Sequence, residues 1–93
     1  MQTGVYTITN IVNNKIYVGS TTISFNKRFS QHKHLLRKNK HHCKYLQNSW
    51  NKYGESNFKF EVLDLVLAEF CLSTELYWIN MLNTRNTSNG YNI

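Results

Sequence analysis

Two runs rich in β-branched and aromatic residues, Val5–Ile11 and Lys15–Ser20, flank Asn13-Asn14. This hairpin signal constrains the fold more than any other stretch of the chain. Asn tolerates positive φ, so the pair predicts a tight turn with Val12 opposite Lys15 and Asn10 opposite Tyr17. Even positions of the first strand then share a face with odd positions of the second. Tyr6, from Gly4-Val5-Tyr6, and Tyr17, from Tyr17-Val18-Gly19, therefore point to the same side. In this register the two tyrosines stand several residues apart, and direct contact requires a shifted register or a strong twist.

The rest of the chain reads as three helices and one strand. Ser24 or Thr22 can cap a helix over about 25–38, with Phe25, Phe29 and Leu36 at helical spacing and Arg37 and Lys38 at the negative end of its dipole. A second helix covers about 42–53, with Leu46, Trp50 and Tyr53 inward and Gly54 as its stop. Phe58, Phe60 and Val62 alternate with Lys59 and Glu61, which predicts a half-buried strand within 57–66. A third helix is expected over about 68–82. The closing stretch 83–93, rich in Asn, Thr and Ser, reads as loop with a short extended piece at Tyr91–Ile93. The order β-β-α-α-β-α makes an α+β domain, in which the third strand pairs with one of the first two and helices pack on a small, mostly antiparallel sheet.

With 93 residues, the chain is long enough for a single domain, 1–93, with one compact core. No apolar run has membrane-spanning length, and the N-terminus lacks a secretory pattern, so an intracellular protein with no membrane partner is expected. Cys43 and Cys71 are too few for a disulfide framework and read as thiols in a reducing compartment.

Eleven Lys and Arg against five Asp and Glu give a formal charge of +6, which favours a polyanionic partner. Position sharpens the point. Lys27, Arg28, Lys33, Arg37, Lys38, Lys40 and Lys44 fall within eighteen residues, interleaved with His32, His34, His41 and His42. The first two helices and their junction are therefore expected to face nucleic acid.

Arg28 and His32 are four apart on one helix and share a face beside the apolar stripe. Such a pair can hold a phosphate and move a proton near neutral pH, and the same spacing also suits an ordinary surface pair. Glu75 lies in the apolar arc of Cys71, Trp78, Ile79 and Leu82, where a carboxylate needs a metal, a cation or solvent. The histidines and Cys43 match no common zinc spacing. A non-catalytic basic nucleic-acid-binding module, with or without zinc, is the alternative from another class.

Taken in order, Gly4-Val5-Tyr6, Tyr17-Val18-Gly19, Arg28 with His32, Glu75 before Tyr77-Trp78-Ile79, and Asn89-Gly90-Tyr91-Asn92 resemble the GIY-YIG nuclease family. The stretch Asn48–Gly54 and the closing residues look most like the catalytic domain of phage and intron-encoded homing endonucleases. Val5 and Val18 stand where the family name has isoleucine. The resemblance implies a three-stranded antiparallel sheet flanked by helices and a metal-dependent DNA endonuclease. It further implies one divalent metal, Mg²⁺ or Mn²⁺, on Glu75, and double-stranded DNA as partner. It implies that Arg28 holds the phosphate and that Tyr6, Tyr17 or His32 is the general base. By the same resemblance His41 is a further functional position, and Asn92 orients catalytic groups. The homing relatives carry a linker and a separate DNA-binding domain that these residues do not contain, so target choice is expected to lie elsewhere.

Overall fold

In the computed structural model, which describes residues 3–93, the elements run β1 (Gly4–Asn10), β2 (Ile16–Thr21), α1 (Phe25–Arg37), α2 (Lys44–Tyr53), β3 (Phe58–Leu65) and α3 (Cys71–Leu82). Short 3₁₀ turns at Glu55–Asn57 and Ala68–Phe70 lead into β3 and α3. The sheet is antiparallel with order β2-β1-β3, so the hairpin's first strand is central. No helix among the described residues is long and apolar enough to cross a membrane.

The hairpin turn is longer than the Asn pair alone predicts. The Asn10 amide donates to the Lys15 carbonyl at 2.9 Å, and the Asn14 amide donates back to Asn10 at 2.8 Å. Asn14 takes the left-handed conformation, φ 62°. The side chains of Asn10 and Asn13 accept from the amides of Val12 and Lys15. These local bonds make a four-residue loop of Ile11–Asn14 and leave Ile11 and Val12 in the turn. The register moves with it: Tyr17 faces Ile8 rather than Asn10, and Tyr6 faces Gly19. Tyr6 and Tyr17 become diagonal neighbours on one face, a spacing of about 7–8 Å between backbones.

Helices cover both faces of the sheet. Tyr6, Ile8 and Phe58 pack on one face with Phe25, Leu36, Leu46, Trp50 and Tyr91. Val5 and Val18 pack on the other with Ile79, Leu63 and Trp78. A β-bulge in β3 marks the change of side. Val5 pairs with Asp64 but Tyr6 pairs with Val62, so Leu63 is the extra residue. The expected alternation ends there: Val62 is 49% exposed, and Leu63 turns to the α3 side.

Ser24 caps α1, accepting from the Lys27 amide, and Gly54 ends α2 at φ 87°. α2 begins at Lys44, two residues later than the pattern suggests. The segment expected as a loop after α3 folds back along the outer edge of β2. The Ile16 amide donates to Asn89 and the Tyr91 amide donates to Ile16, with a parallel bridge at Gly90. A side chain at Gly90 would strike Thr84 at 2.5 Å, so only glycine lets the strands approach.

Candidate active site

The hairpin and α1 build the centre. Tyr6 sits on the central strand, 1% exposed, with Phe25 and Phe29 edge-on to its ring. Its hydroxyl lies over Gly19, where a Cβ would come within 2.4 Å of the oxygen. His32 is fully buried and continues the stripe Phe25, Phe29, Leu36. The sequence set His32 beside that stripe; it is part of it. Arg28, one turn earlier, lies half-buried at its flank and donates to Gln31 at 3.0 Å.

A chain of hydrogen bonds runs inward from the α1–α2 loop. The Cys43 amide donates to His41 Nδ1 at 3.0 Å. His41 Nε2 lies 2.7 Å from His32 Nδ1, and His32 Nε2 lies 2.5 Å from the Tyr6 hydroxyl. A backbone N–H can only donate, so His41 Nδ1 carries no proton. Neutral His41 then has its proton on Nε2 and donates to His32 Nδ1. Neutral His32 in turn donates from Nε2 to the Tyr6 oxygen. One fixed amide thus sets the direction of the whole chain, and the Tyr6 proton is directed away from His32.

Electrostatics keep both imidazoles neutral. Burial, then Arg28 and the neighbouring histidines, hold His32 down to about 3. Burial, His42 and Arg28 hold His41 down to about 4. Burial pushes Tyr6 up to about 12, opposed by Arg28. Burial raises Tyr17 further, with contributions from Tyr6, Cys43 and Glu75.

His41, 3% exposed, is held by Gln47. The Gln47 side chain accepts from the His41 amide at 3.0 Å and donates to the Leu36 carbonyl at 3.0 Å, joining the loop to both helices. The basic histidine cluster expected from the sequence is therefore split. His32 and His41 are interior, and all four of their ring nitrogens are occupied by hydrogen bonds. His34 and His42 are exposed. Tyr17 lies half-buried with its ring edge-on to His32 and His41 and its hydroxyl 3.3 Å from His42 Nε2.

Glu75 comes from α3, on the other side of the sheet, where Ser20 of β2 meets it. The Ser20 hydroxyl donates to Glu75 Oε1 at 2.8 Å. Glu75 is half-buried and makes no ion pair among the described residues. Its charge still acts on Tyr6 and Tyr17. Asn92 grips the edge strand between the two motif residues: its side chain accepts from the Val18 amide and donates to the Val18 carbonyl, each at 2.8 Å.

The seven cations of the basic stretch differ in their surroundings. Lys27, Lys38, Lys40 and Lys44 are exposed. Arg37 forms a two-pronged pair with Glu55, and Lys33 lies 5.0 Å over the Phe60 ring. Two positions that sequence reasoning missed shape the site. Ser20 had a signal, since it directly follows Tyr17-Val18-Gly19 and faces Val5 in the ladder. Gln47 had none, because a polar residue in a helix reads as surface.

The model of the GIY-YIG catalytic domain matches residues 2–92. Intron-associated endonuclease 1 of Enterobacteria phage T4 is 40% identical over 95 residues; the match takes in all of this chain and 37% of the phage protein. The solved catalytic domain of homing endonuclease I-TevI superposes with a TM-score of 0.89 at 37% identity, covering 99% of this chain and 98% of that one. The E75A mutant of the same I-TevI domain gives a TM-score of 0.89 with 93% of that chain covered. The tyrosine pair on the hairpin, the buried histidines and the α3 carboxylate are thus set in a shared framework, and the chain belongs to the GIY-YIG nucleases as a catalytic domain of that family.

Proposed function

We propose that this catalytic domain hydrolyses phosphodiester bonds of double-stranded DNA inside the cell, as the cutting module of a homing endonuclease. The observation that carries the reading is the directed chain from Cys43 through His41 and His32 to Tyr6, flanked by Arg28, together with a half-buried Glu75 that has no cationic partner among the described residues and whose charge acts on Tyr6.

In this reading Tyr6 takes a proton from the attacking water. Its oxygen receives the His32 N–H and feels the Arg28 charge, both of which favour the phenolate. His32 already carries its only proton on the nitrogen facing Tyr6, so it acts as a donor rather than as the base. Arg28 holds the non-bridging phosphate oxygens with its planar fork. Tyr17, diagonal to Tyr6, orients the water or phosphate from the same face. Asn92 fixes Val18 and so fixes both flanking positions of the second motif. Water adds to phosphorus and the bond to the 3′ oxygen breaks, leaving a 5′ phosphate and a 3′ hydroxyl.

Membership of the family implies a divalent metal. The donor set fits an open, weak site: one carboxylate, with Oε1 engaged by Ser20 and Oε2 without a protein partner, and no group of three His, Cys, Asp or Glu among the described residues. Glu75 would hold Mg²⁺ or Mn²⁺ there, and the ion when bound supplies a Lewis acid for the phosphate and the leaving oxygen. Incubating supercoiled plasmid with the domain, in Mg²⁺ and in EDTA, tests the function. Cutting in Mg²⁺ that EDTA abolishes is expected. DNA binding with no cutting in Mg²⁺ or Mn²⁺ points to a non-catalytic module instead.

A further inference from the structure

A cavity of about 430 Å³ is lined by Tyr17 but not by Tyr6 or His32. Tyr17 and His42 wall it towards the catalytic centre, Lys44 and Tyr45 line it from the start of α2, and Arg85 and Asn92 line it from the C-terminal segment. No Asp or Glu lines it. Arg85 and Lys44 make no ion pair among the described residues. Arg85 lies far in sequence from the basic stretch of residues 27–44, yet the fold sets it across one cavity from Lys44. Tyr45 is 49% exposed.

Two cations and an exposed aromatic ring around a carboxylate-free cleft suit a ligand that is anionic at one end and flat at the other. The volume is within the range of small-ligand sites. We infer that this cavity is a nucleotide subsite that seats one nucleotide flanking the scissile bond, with its phosphate between Lys44 and Arg85 and its base or sugar against Tyr45. The shared wall, Tyr17, makes the subsite continuous with the catalytic centre. A flanking nucleotide held there fixes where along the strand the scissile phosphate lies. Base–aromatic stacking and backbone cations together give sequence-tolerant binding.

This assignment rests on the nuclease reading, and the test separates the two. The 93-residue domain is titrated without metal, by NMR, with the 5′-phosphorylated dinucleotide pTpT and separately with inorganic phosphate. Saturable shifts are expected at Tyr45, Arg85 and Asn92, weakening with salt, with pTpT binding about tenfold more tightly than phosphate alone. Arg85→Ala and Tyr45→Ala are each expected to weaken pTpT by about tenfold while the rest of the spectrum stays folded. In plasmid cleavage the same variants should raise KM by a similar factor with kcat within about twofold. Equal affinity for phosphate and pTpT, or shifts spread over Lys27, Lys38 and Lys40 only, overturns the subsite. So does the absence of any saturable shift at Tyr45 and Arg85 on addition of pTpT. Failure of the wild-type domain to cut any DNA, with the titration as expected, overturns the nuclease reading and leaves the subsite standing.

Discussion

The two sides of the sheet treat their polar groups in opposite ways. On the α1–α2 side, Tyr6, His32 and His41 are at most 3% exposed, and hydrogen bonds join them into one directed chain. On the α3 side, Glu75 is half-buried and, among the described residues, bound only by Ser20 and open at one oxygen. The closed side is finished by folding: its geometry exists before any substrate arrives. The open side is left for a ligand to complete. In the proposed mechanism such a site would have its proton-transfer geometry preorganised and its charge stabilisation delivered.

The contrast can be broken most sharply by removing one group from each side. Glu75→Gln keeps the Ser20 bond and the size of the side chain. Cleavage is expected to fall by about 10³ or more, with the melting temperature nearly unchanged, because no folded-state ion pair is lost. A marked loss of melting temperature with near-normal cutting by the folded fraction would return Glu75 to a structural role. Tyr6→Phe keeps the ring but not the oxygen; cleavage by folded protein should drop on the order of 10²–10³, and DNA binding should hold. Arg28→Ala should slow cutting by a comparable factor without abolishing binding, since the exposed Lys27, Lys38, Lys40 and Lys44 remain.

Stability effects should fall on the closed side. Gln47→Leu leaves the buried His41 amide without its partner, while the Leu36 carbonyl keeps the Asn39 amide, and a loss of about 1–3 kcal/mol in urea unfolding is expected. Acid should act in the same place. His32 and His41 have folded-state values of about 3 and about 4, below the ordinary 6.5 of the unfolded chain. Below 6.5 the unfolded chain binds protons that the folded protein refuses. The stability that these two contribute is therefore whole above about 6.5 and drains away as pH falls towards 4 and 3. Melting scans from pH 7.5 to pH 4 should show this decline. A flat profile would mean that the imidazoles are not buried neutral. The smallest effect concerns metal: EDTA should leave the far-ultraviolet circular dichroism unchanged, because both apolar clusters close without it.

Local physics made much of this legible in the sequence. The hairpin, the caps at Ser24 and Gly54, the helical stripes and the even–odd facing of Tyr6 and Tyr17 follow from spacing and turn chemistry alone. The hairpin register did not, because the Asn10 and Asn13 side chains bond their own loop and lengthen the turn by two residues. The bulge at Leu63 was also silent, since nothing in an apolar–polar alternation marks where one extra residue enters. Within the site, motif order pointed to the individual residues, but the direction of the proton chain depends on a backbone amide in a loop, at Cys43. Spacing along α1 could not tell a surface His32 from a buried one; only the packing of Tyr6, Tyr17 and His41 against its ring does.

The pH dependence of single-turnover plasmid cleavage at saturating Mg²⁺ tests the central claim, that Tyr6 rather than His32 takes the proton from water. With Tyr6 pushed up to about 12, the logarithm of the rate should climb with near-unit slope from pH 6 to pH 9 without levelling. Tyr6→Phe should remove the climb along with most of the rate. A wild-type rate that levels near pH 6.5, or is flat across the range, would contradict the account and make histidine the base.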